Sequence, residues 1–331
     1  MKKIVKAEIL WSRKCALSCS YCGMIDNRDN SVSLDDWKKG IDALKKLECG
    51  FIAFYGAEPL MEFEKLPDII QYAENMGIYT TVITSGIVSN FIDKLKKLHD
   101  YGTKSLTMSY DMIPLDINSA RKMKNVIDSL LYFKNLGNIR DVAAVATLSK
   151  VNFRVLPMMI KTMTEMGIWT FFDIIHPARG QEGTKCKSYI GLDSLLFTKN
   201  ELNELVDILK EVQTMKHKGY LIHSSDLFLE KLITNPDLIF KYNWNCADED
   251  NFPAWLTIDV DGIVYPCDDY QPKSSLQIQC RDIYERWDEF SSYWKKNVIE
   301  NCPGCLWNTH IDAHAIKRGQ LSFVDYIHVK K

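Results

Sequence analysis

No apolar run in this 331-residue chain approaches the roughly 18 residues that a helical membrane span requires. No secretion signal opens it either. Residues 1–11 are basic, but Lys6 and Glu8 interrupt the apolar positions, and the segment reads as a first strand. A basic stripe is also missing. Formal net charge is −2, Lys and Arg are spread along the chain, and the short basic runs at 94–97 and 121–124 carry apolar neighbours at helical spacing, as solvated helix faces do. A nucleic-acid partner is therefore unsupported. Nor is there a Gly/Ser-rich linker, an internal repeat or a low-complexity segment. What is present is a globular composition, 46% hydrophobic and 25% charged, long enough for one large domain or two ordinary ones. These absences point to a cytoplasmic protein, whose ten cysteines are expected to serve as ligands or thiols rather than disulfides.

Strand-like and helix-periodic segments alternate through the first half. Strands are expected at 4–11, 51–55, 79–84, 105–110, 142–148 and 169–175. Between them, Ser33 caps a helix with Asp36 at its third position and Trp37, Ile41 and Leu44 on one face. Ala120, Met123, Val126, Ile127, Leu130 and Leu131 form a second apolar stripe. A third helix is expected over 152–167, stopped by Gly167. Six strand-then-helix units argue for a parallel sheet and are too few for the usual closed eight-stranded barrel. Ligands of such sheets gather at the carboxyl ends of the strands. After about residue 185 the alternation stops. Thr198 and Glu201 then form a capping box before a helix with Leu202, Leu205, Val206, Leu209 and Val212 inside.

Cys15, Cys19 and Cys22 lie in the run C-A-L-S-C-S-Y-C directly after the first strand, hence at that carboxyl end. Three thiolates can hold an iron–sulfur cluster but leave one iron without a protein ligand, whereas an electron carrier normally supplies all four. An open coordination position marks a site that does chemistry. The spacing matches neither ferredoxin runs nor zinc-finger pairs, although a structural zinc loop is the simpler alternative for clustered cysteines. The run resembles the signature of the radical S-adenosylmethionine (radical SAM) superfamily. That resemblance implies a 4Fe–4S cluster on the three thiolates, with the amino and carboxylate groups of SAM on the fourth iron. Reductive cleavage of SAM then gives methionine and a 5′-deoxyadenosyl radical, which takes a hydrogen atom from substrate. The implied fold is α/β, a partial (β/α)6 TIM-like barrel open on one side with a small C-terminal iron–sulfur domain.

Other positions are carried over motif by motif. Tyr21 matches the family's aromatic position beside the adenine. Gly56-Ala57-Glu58-Pro59, after the second strand, is similar to the Gly-Gly-Glu-Pro motif in which loop backbone and glutamate receive the SAM ammonium. Ala57 departs from the second glycine, and Gly56 is expected to let the backbone approach the ligand closely. Thr84-Ser85-Gly86 resembles the Thr-Asn-Gly turn, and Ser109 with Asp111 resembles the Ser-x-Asp that meets the SAM ribose or carboxylate. Thr147, Ser149 and Asn152 are candidates of the same type. Arg179, after the sixth strand, could hold a carboxylate bidentately. Plainer readings stand beside these: an ordinary glycine turn at 84–86, a turn cap at Asp111, a solvated Arg179.

Cys246, Cys267 and the pair in Cys302-Pro-Gly-Cys305 form a second group. It resembles the SPASM/Twitch class of radical SAM proteins, which carry auxiliary 4Fe–4S clusters in this region. Ile311 stands where the longer SPASM pattern continues with cysteine, so the Twitch form is implied, with one auxiliary cluster on four thiolates. By spacing alone the group also suits a structural zinc. Cys49 reads as buried filler. Cys186 and Cys280 are candidate catalytic thiols, able to return a hydrogen atom to a substrate radical. Asp259, Asp261, Asp268 and Asp269 surround Cys267 and could accept a proton near substrate, or simply form acidic surface turns. His310 and His314 stand at helical spacing, as a metal face or, more simply, on a capped and exposed helix.

The expected organisation is a radical SAM barrel at 1–190, a helical connection at 191–240 and a Twitch-like auxiliary-cluster domain at 241–331. A second cluster with no open iron would accept the electron left when a substrate radical closes, so a net oxidation or cross-link is expected. The resemblance implies a radical SAM oxidoreductase or maturase acting on a peptide, with a reductant such as flavodoxin or ferredoxin. Because the chain starts at its first strand, any leader-peptide recognition domain is expected on a separate protein. One alternative is dehydrogenation or epimerisation of a small alcohol or amino sugar. Another, outside catalysis, is an iron–sulfur electron carrier that never binds SAM.

Overall fold

The computed structural model describes residues 2–116, 125–177, 194–247, 253–267, 276–302 and 304–326. Six strands form where the alternation places them: β1 (Lys6–Ser12), β2 (Phe51–Gly56), β3 (Tyr79–Thr84), β4 (Ser105–Ser109), β5 (Asp141–Leu148) and β6 (Trp169–Ile174). Each pairs in parallel with the next. The returning helices are α1 (Leu34–Lys46), α2 (Leu66–Asn75), α3 (Phe91–Asp100), α4 (Val126–Asn135) and α5 (Leu156–Glu165). At the start of α1 the Ser33 side chain accepts from Asp36 N–H, and Trp37, Ile41 and Leu44 are buried as their spacing requires. α5 begins later than its period suggests. Asn152 is held in a turn, its amide oxygen accepting from Ser149 N–H at 2.8 Å, and a 3₁₀ turn (Phe153–Val155) intervenes. Thr198 and Glu201 close the capping box of α6 (Lys199–His217), which buries Leu205, Leu209 and Val212.

The two faces of the strands have different tasks. Ile9, Phe54, Val82, Leu106, Ala144 and Phe172 join one apolar cluster with the helices. Their neighbours Glu8, Ala53, Ile83, Thr107, Val145 and Asp173 line a single cavity. One row drawn from six successive strands can enclose one cavity only if the sheet curls around it, as an open barrel does.

The sheet does not stop at six strands. β7 (Trp255–Ile258) adds to β1 in parallel, with Lys6 opposite Trp255, and β8 (Val264–Tyr265) folds back on β7 antiparallel. Elements of four and two residues are too short to show a period, so they were not expected. The C-terminal cysteine region thus grows from an extension of the same sheet. After α7 (Asp226–Thr234) and α8 (Trp287–Trp294) comes α9 (Asn308–Lys317). α9 is a core helix, contrary to the exposed one expected for His310 and His314: both histidines and Asn308, Ile311, Asp312, Ala313 and Ala315 are buried. Asp312 accepts from the buried Ser225 hydroxyl, a partner inside the fold rather than water. The first turn of α9 spans the open side of the barrel. Asn308 N–H donates to Asp173 on β6 at 3.2 Å, and His310 Nε2 lies 3.3 Å from Glu8 on β1. Among the described residues no helix is long and apolar enough to cross a membrane.

Candidate active site

The cavity measures about 300 Å³ and runs the depth of the barrel. Cys15, Cys19 and Cys22 all line it, together with Tyr21 and the strand-end residues Gly56, Ala57, Ser85, Ser109 and Thr147. The cysteine run is turned tightly: Cys22 N–H donates to the Cys19 carbonyl at 3.1 Å, and Leu17 N–H points at Cys15 Sγ at 3.3 Å. Among the described residues no three His, Cys, Asp or Glu side chains are grouped for a single metal ion. A cluster asks for something else, thiols spread about a cube, and a cysteine-only donor set at a cavity rim fits that group.

Gly56 lines the cavity, and the fold itself requires a glycine there. Its φ is +142°, and a Cβ there would stand 2.3 Å from the Ser12 carbonyl oxygen, which also accepts from Ala57 N–H at 2.9 Å. The missing side chain makes room for the end of β1, immediately before the cysteine loop. Glu58 is fully buried and does not line the cavity. It accepts four hydrogen bonds, from Leu60 N–H (3.1 Å), the Thr84 hydroxyl (2.6 Å), Ser85 N–H (2.8 Å) and the Ser85 hydroxyl (2.5 Å). Glu58 therefore ties the loop after β2, where Pro59 opens a 3₁₀ turn, to the loop after β3. Asp111 is likewise buried. It accepts from Thr147 N–H at 2.9 Å, faces the Tyr21 hydroxyl at 3.4 Å, and its carbonyl accepts from the Asn152 amide at 3.2 Å. Burial, and then Asp111, push the Tyr21 phenol well above its usual range, so it stays protonated.

Deeper in the cavity stand charges whose role was missed. Lys6, 1% exposed, donates to Glu8 and lies 5.3 Å from the Trp255 ring, against which His310 stacks at 3.6 Å. Burial alone would raise the Glu8 pKa, but Lys6 and His310 outweigh it and hold the carboxyl well below its usual range. Burial pushes Asp173 up to about 7 and His223 down to about 4. The signal was available: Lys6 and Glu8 are two apart in a strand, so both face inward.

Asp173 gives a pH test. Between about pH 4 and 7 the folded protein keeps a proton that an unfolded aspartate has lost, so stability falls as pH rises through that window, by up to about 1.4 kcal/mol per unit. Asp312, also raised to about 7 by burial, acts in the same sense, and His223 in the opposite one. Asp173→Asn is expected to lose less stability than wild type between pH 5 and 8, by urea denaturation. Identical pH profiles would show that Asp173 ionises normally.

Other assignments divide. Asp259 is no surface acid. It is fully buried on Arg13 and Arg28, and although burial opposes ionisation, the guanidinium partners hold its pKa below the usual range. Cys280 is buried against Gly40 of α1 and does not line the cavity; burial pushes its thiol up to about 12. That placement leaves it no contact with a radical held in the cavity. Cys49 is buried as expected. Cys246 and Cys302 touch the same apolar cluster of Ala247, Trp294 and Val298, and Cys305 N–H donates to the Trp244 carbonyl at 3.1 Å. Gly304 has φ +88°, and a Cβ there would stand 2.4 Å from the Asn243 carbonyl carbon. Cys267, after β8, packs against Val5, Ala254, Trp255 and Ala313. Arg179, Cys186, Asp268 and Asp269 lie outside the described residues.

Residues 9–169, from β1 to the start of β6, match the Radical SAM superfamily. That segment, just under half of the chain, carries the radical SAM domain. Among its relatives, Fe-coproporphyrin III synthase of Methanosarcina barkeri is 28% identical over 229 residues, 65% of this chain and 54% of that protein. PqqA peptide cyclase of Bradyrhizobium diazoefficiens is 28% identical over 102 residues, 30% of this chain and 26% of that protein. The matches thus span about half and about a quarter of these relatives. In fold the chain is similar to SuiB of Streptococcus suis, solved with its precursor peptide SuiA. The TM-score is 0.62 at 15% identity, over 91% of this chain and 67% of SuiB. The radical SAM superfamily implies a 4Fe–4S cluster and S-adenosylmethionine, which the cysteine-lined rim suits.

Proposed function

We propose that this chain is a radical SAM maturase that modifies a peptide. Cys15, Cys19 and Cys22 would hold the 4Fe–4S cluster, and Tyr21, Gly56, Ala57, Ser85 and Ser109 would contact SAM. Bound there, these groups supply a 5′-deoxyadenosyl radical that takes a hydrogen atom from substrate. Glu58, Thr84 and Asp111 act from behind the cavity wall, fixing the loops that bear Ser85 and Thr147. His223 and Tyr326, rings 5.2 Å apart, line the deep end. The observation that carries this reading is that all three thiols and the ends of the strands share one deep cavity.

Two comparisons favour a peptide: the likeness of fold to SuiB, solved with its precursor peptide, and the match to PqqA peptide cyclase. The longer match to Fe-coproporphyrin III synthase favours the second reading, a small molecule. Cys246, Cys267, Cys302 and Cys305 would hold an auxiliary 4Fe–4S cluster that accepts an electron, so the net reaction is an oxidation or a cross-link. A flavodoxin or ferredoxin would supply the reducing electron, and a separate protein would present the leader peptide.

The test is anaerobic reconstitution with iron and sulfide, then dithionite and SAM. About eight irons per chain are expected for two 4Fe–4S clusters, with release of 5′-deoxyadenosine measured by mass spectrometry. About four irons would remove the auxiliary cluster. A loaded protein that releases no 5′-deoxyadenosine would be an electron carrier.

A further inference from the structure

The loop bearing Cys15, Cys19 and Cys22 is held at both ends by one carboxylate from far along the chain. Asp259 is fully buried where β7 turns toward β8. Arg13, two residues before Cys15 and 1% exposed, grips it through Nε at 2.9 Å and Nη2 at 3.0 Å. Arg28, beyond the loop, donates Nη2 to Asp259 at 2.7 Å and Nη1 to Asp261 at 3.2 Å. Arg13 also gathers the returning chain. Its Nη1 donates to the Met24 carbonyl at 3.3 Å, and its own carbonyl accepts from Asp26 and Asn27 N–H, both at 3.2 Å. The same hairpin carries Cys267 two residues beyond β8.

We propose that Asp259 is a positioning residue for the three-cysteine loop, and that the β7–β8 hairpin couples this loop to the C-terminal cysteines. The proposal rests on the cluster assignments above. Its physical basis is directional. A guanidinium fork on a carboxylate fixes angle as well as distance, and burial shields the pair from water. The turn is itself stiff: Val260 N–H donates to the Asp259 carboxylate at 2.8 Å, and Gly262 N–H to its carbonyl at 2.8 Å. Ligation of Cys267 would fix the far end of the hairpin, the hairpin fixes Asp259, and Asp259 fixes both ends of the loop. Such coupling is reciprocal, so occupancy of either cysteine group strengthens the other.

Trypsin on the metal-free protein provides a readout independent of any cluster, because Lys14, beside Cys15, and Arg28, at the far anchor of the loop, are cleavage points. Asp259→Asn is expected to lower the thermal midpoint, since it strips a buried guanidinium of its partner, and, well below that midpoint, to speed cleavage there about tenfold or more with cleavage elsewhere unchanged. Arg28→Met, which alters no residue of the hairpin and removes only the Arg28 cleavage point, should speed cleavage at Lys14 in the same way if Asp259→Asn folds poorly. Unchanged protection in both variants overturns the positioning role. In the reconstituted protein, cluster loss to a chelator is followed by electron paramagnetic resonance, the N-terminal signal being the one that responds to SAM. Cys302→Ala with Cys305→Ala should speed its loss about 5- to 150-fold, the usual range of coupling between sites, and do so far less in an Asp259→Asn background. Equal acceleration in both backgrounds overturns the coupling. A wild-type protein that takes up no N-terminal cluster overturns the cluster assignment instead, and leaves the protease result standing.

Discussion

Glu8→Ala is expected to destabilise the protein by about 3–5 kcal/mol, the usual consequence of breaking a buried ion pair on one side. Lys6 is 1% exposed and donates to Glu8. Truncation would leave its ammonium in the barrel interior facing the Trp255 ring, and an aromatic face returns only about 2 kcal/mol of what a carboxylate gives. His310 would lose the same carboxylate at 3.3 Å, and with it one tie between α9 and β1. Urea denaturation of the two proteins measures the loss. A control separates charge from packing: Lys6→Met with Glu8→Leu removes both charges and should recover most of the stability. If Glu8→Ala alone costs less than about 1 kcal/mol, water reaches the pair and its burial is misread.

Glu58 should be nearly as sensitive, and its loss should reach SAM. Glu58→Ala leaves four donors on Leu60, Thr84 and Ser85 without their acceptor, at roughly 1–3 kcal/mol for each of the two buried ones, less for the two on half-buried Ser85, and less than additively. Glu58→Gln is gentler. It keeps the shape but turns an amide NH₂ toward donors, so the loops after β2 and β3 come apart on one side. Because Ser85 lines the cavity, SAM dissociation by calorimetry is expected to weaken about tenfold in Glu58→Gln, equivalent to about 1.4 kcal/mol, while the fold persists. SAM affinity equal to wild type would show that the two loops hold their places without this carboxylate.

Much of this molecule could be read from its residues, and the unread parts have common physical causes. Six strands, the cap of α1 and the capping box of α6 are local: each follows from period or from side chains three residues apart. The cysteine loop was legible because its chemistry is packed into eight positions. β7 and β8 were hidden by brevity, and their place beside β1 depends on pairing partners about 250 residues apart. α9 misled because its histidines and Asp312 look solvated until Glu8 and Ser225 are seen beside them. Asp259 looked like one more acid in a polar turn, since nothing local announces two arginines arriving from residues 13 and 28. Gly56 was recognised, but only coordinates reveal that Ser12 occupies the space. In each case the missing information was the identity of a distant neighbour.

The position of β1 bears on how the protein is made. β1 leaves the ribosome ahead of both its neighbours and can pair with β2 early, but its other edge waits for Trp255 to emerge. At about 5–20 residues per second that delay is roughly 12–50 s, during which an unsatisfied row of amides and carbonyls is exposed in the nascent chain. Expression yield should therefore respond to chaperone supply and growth temperature more strongly than the stability of the finished protein would suggest.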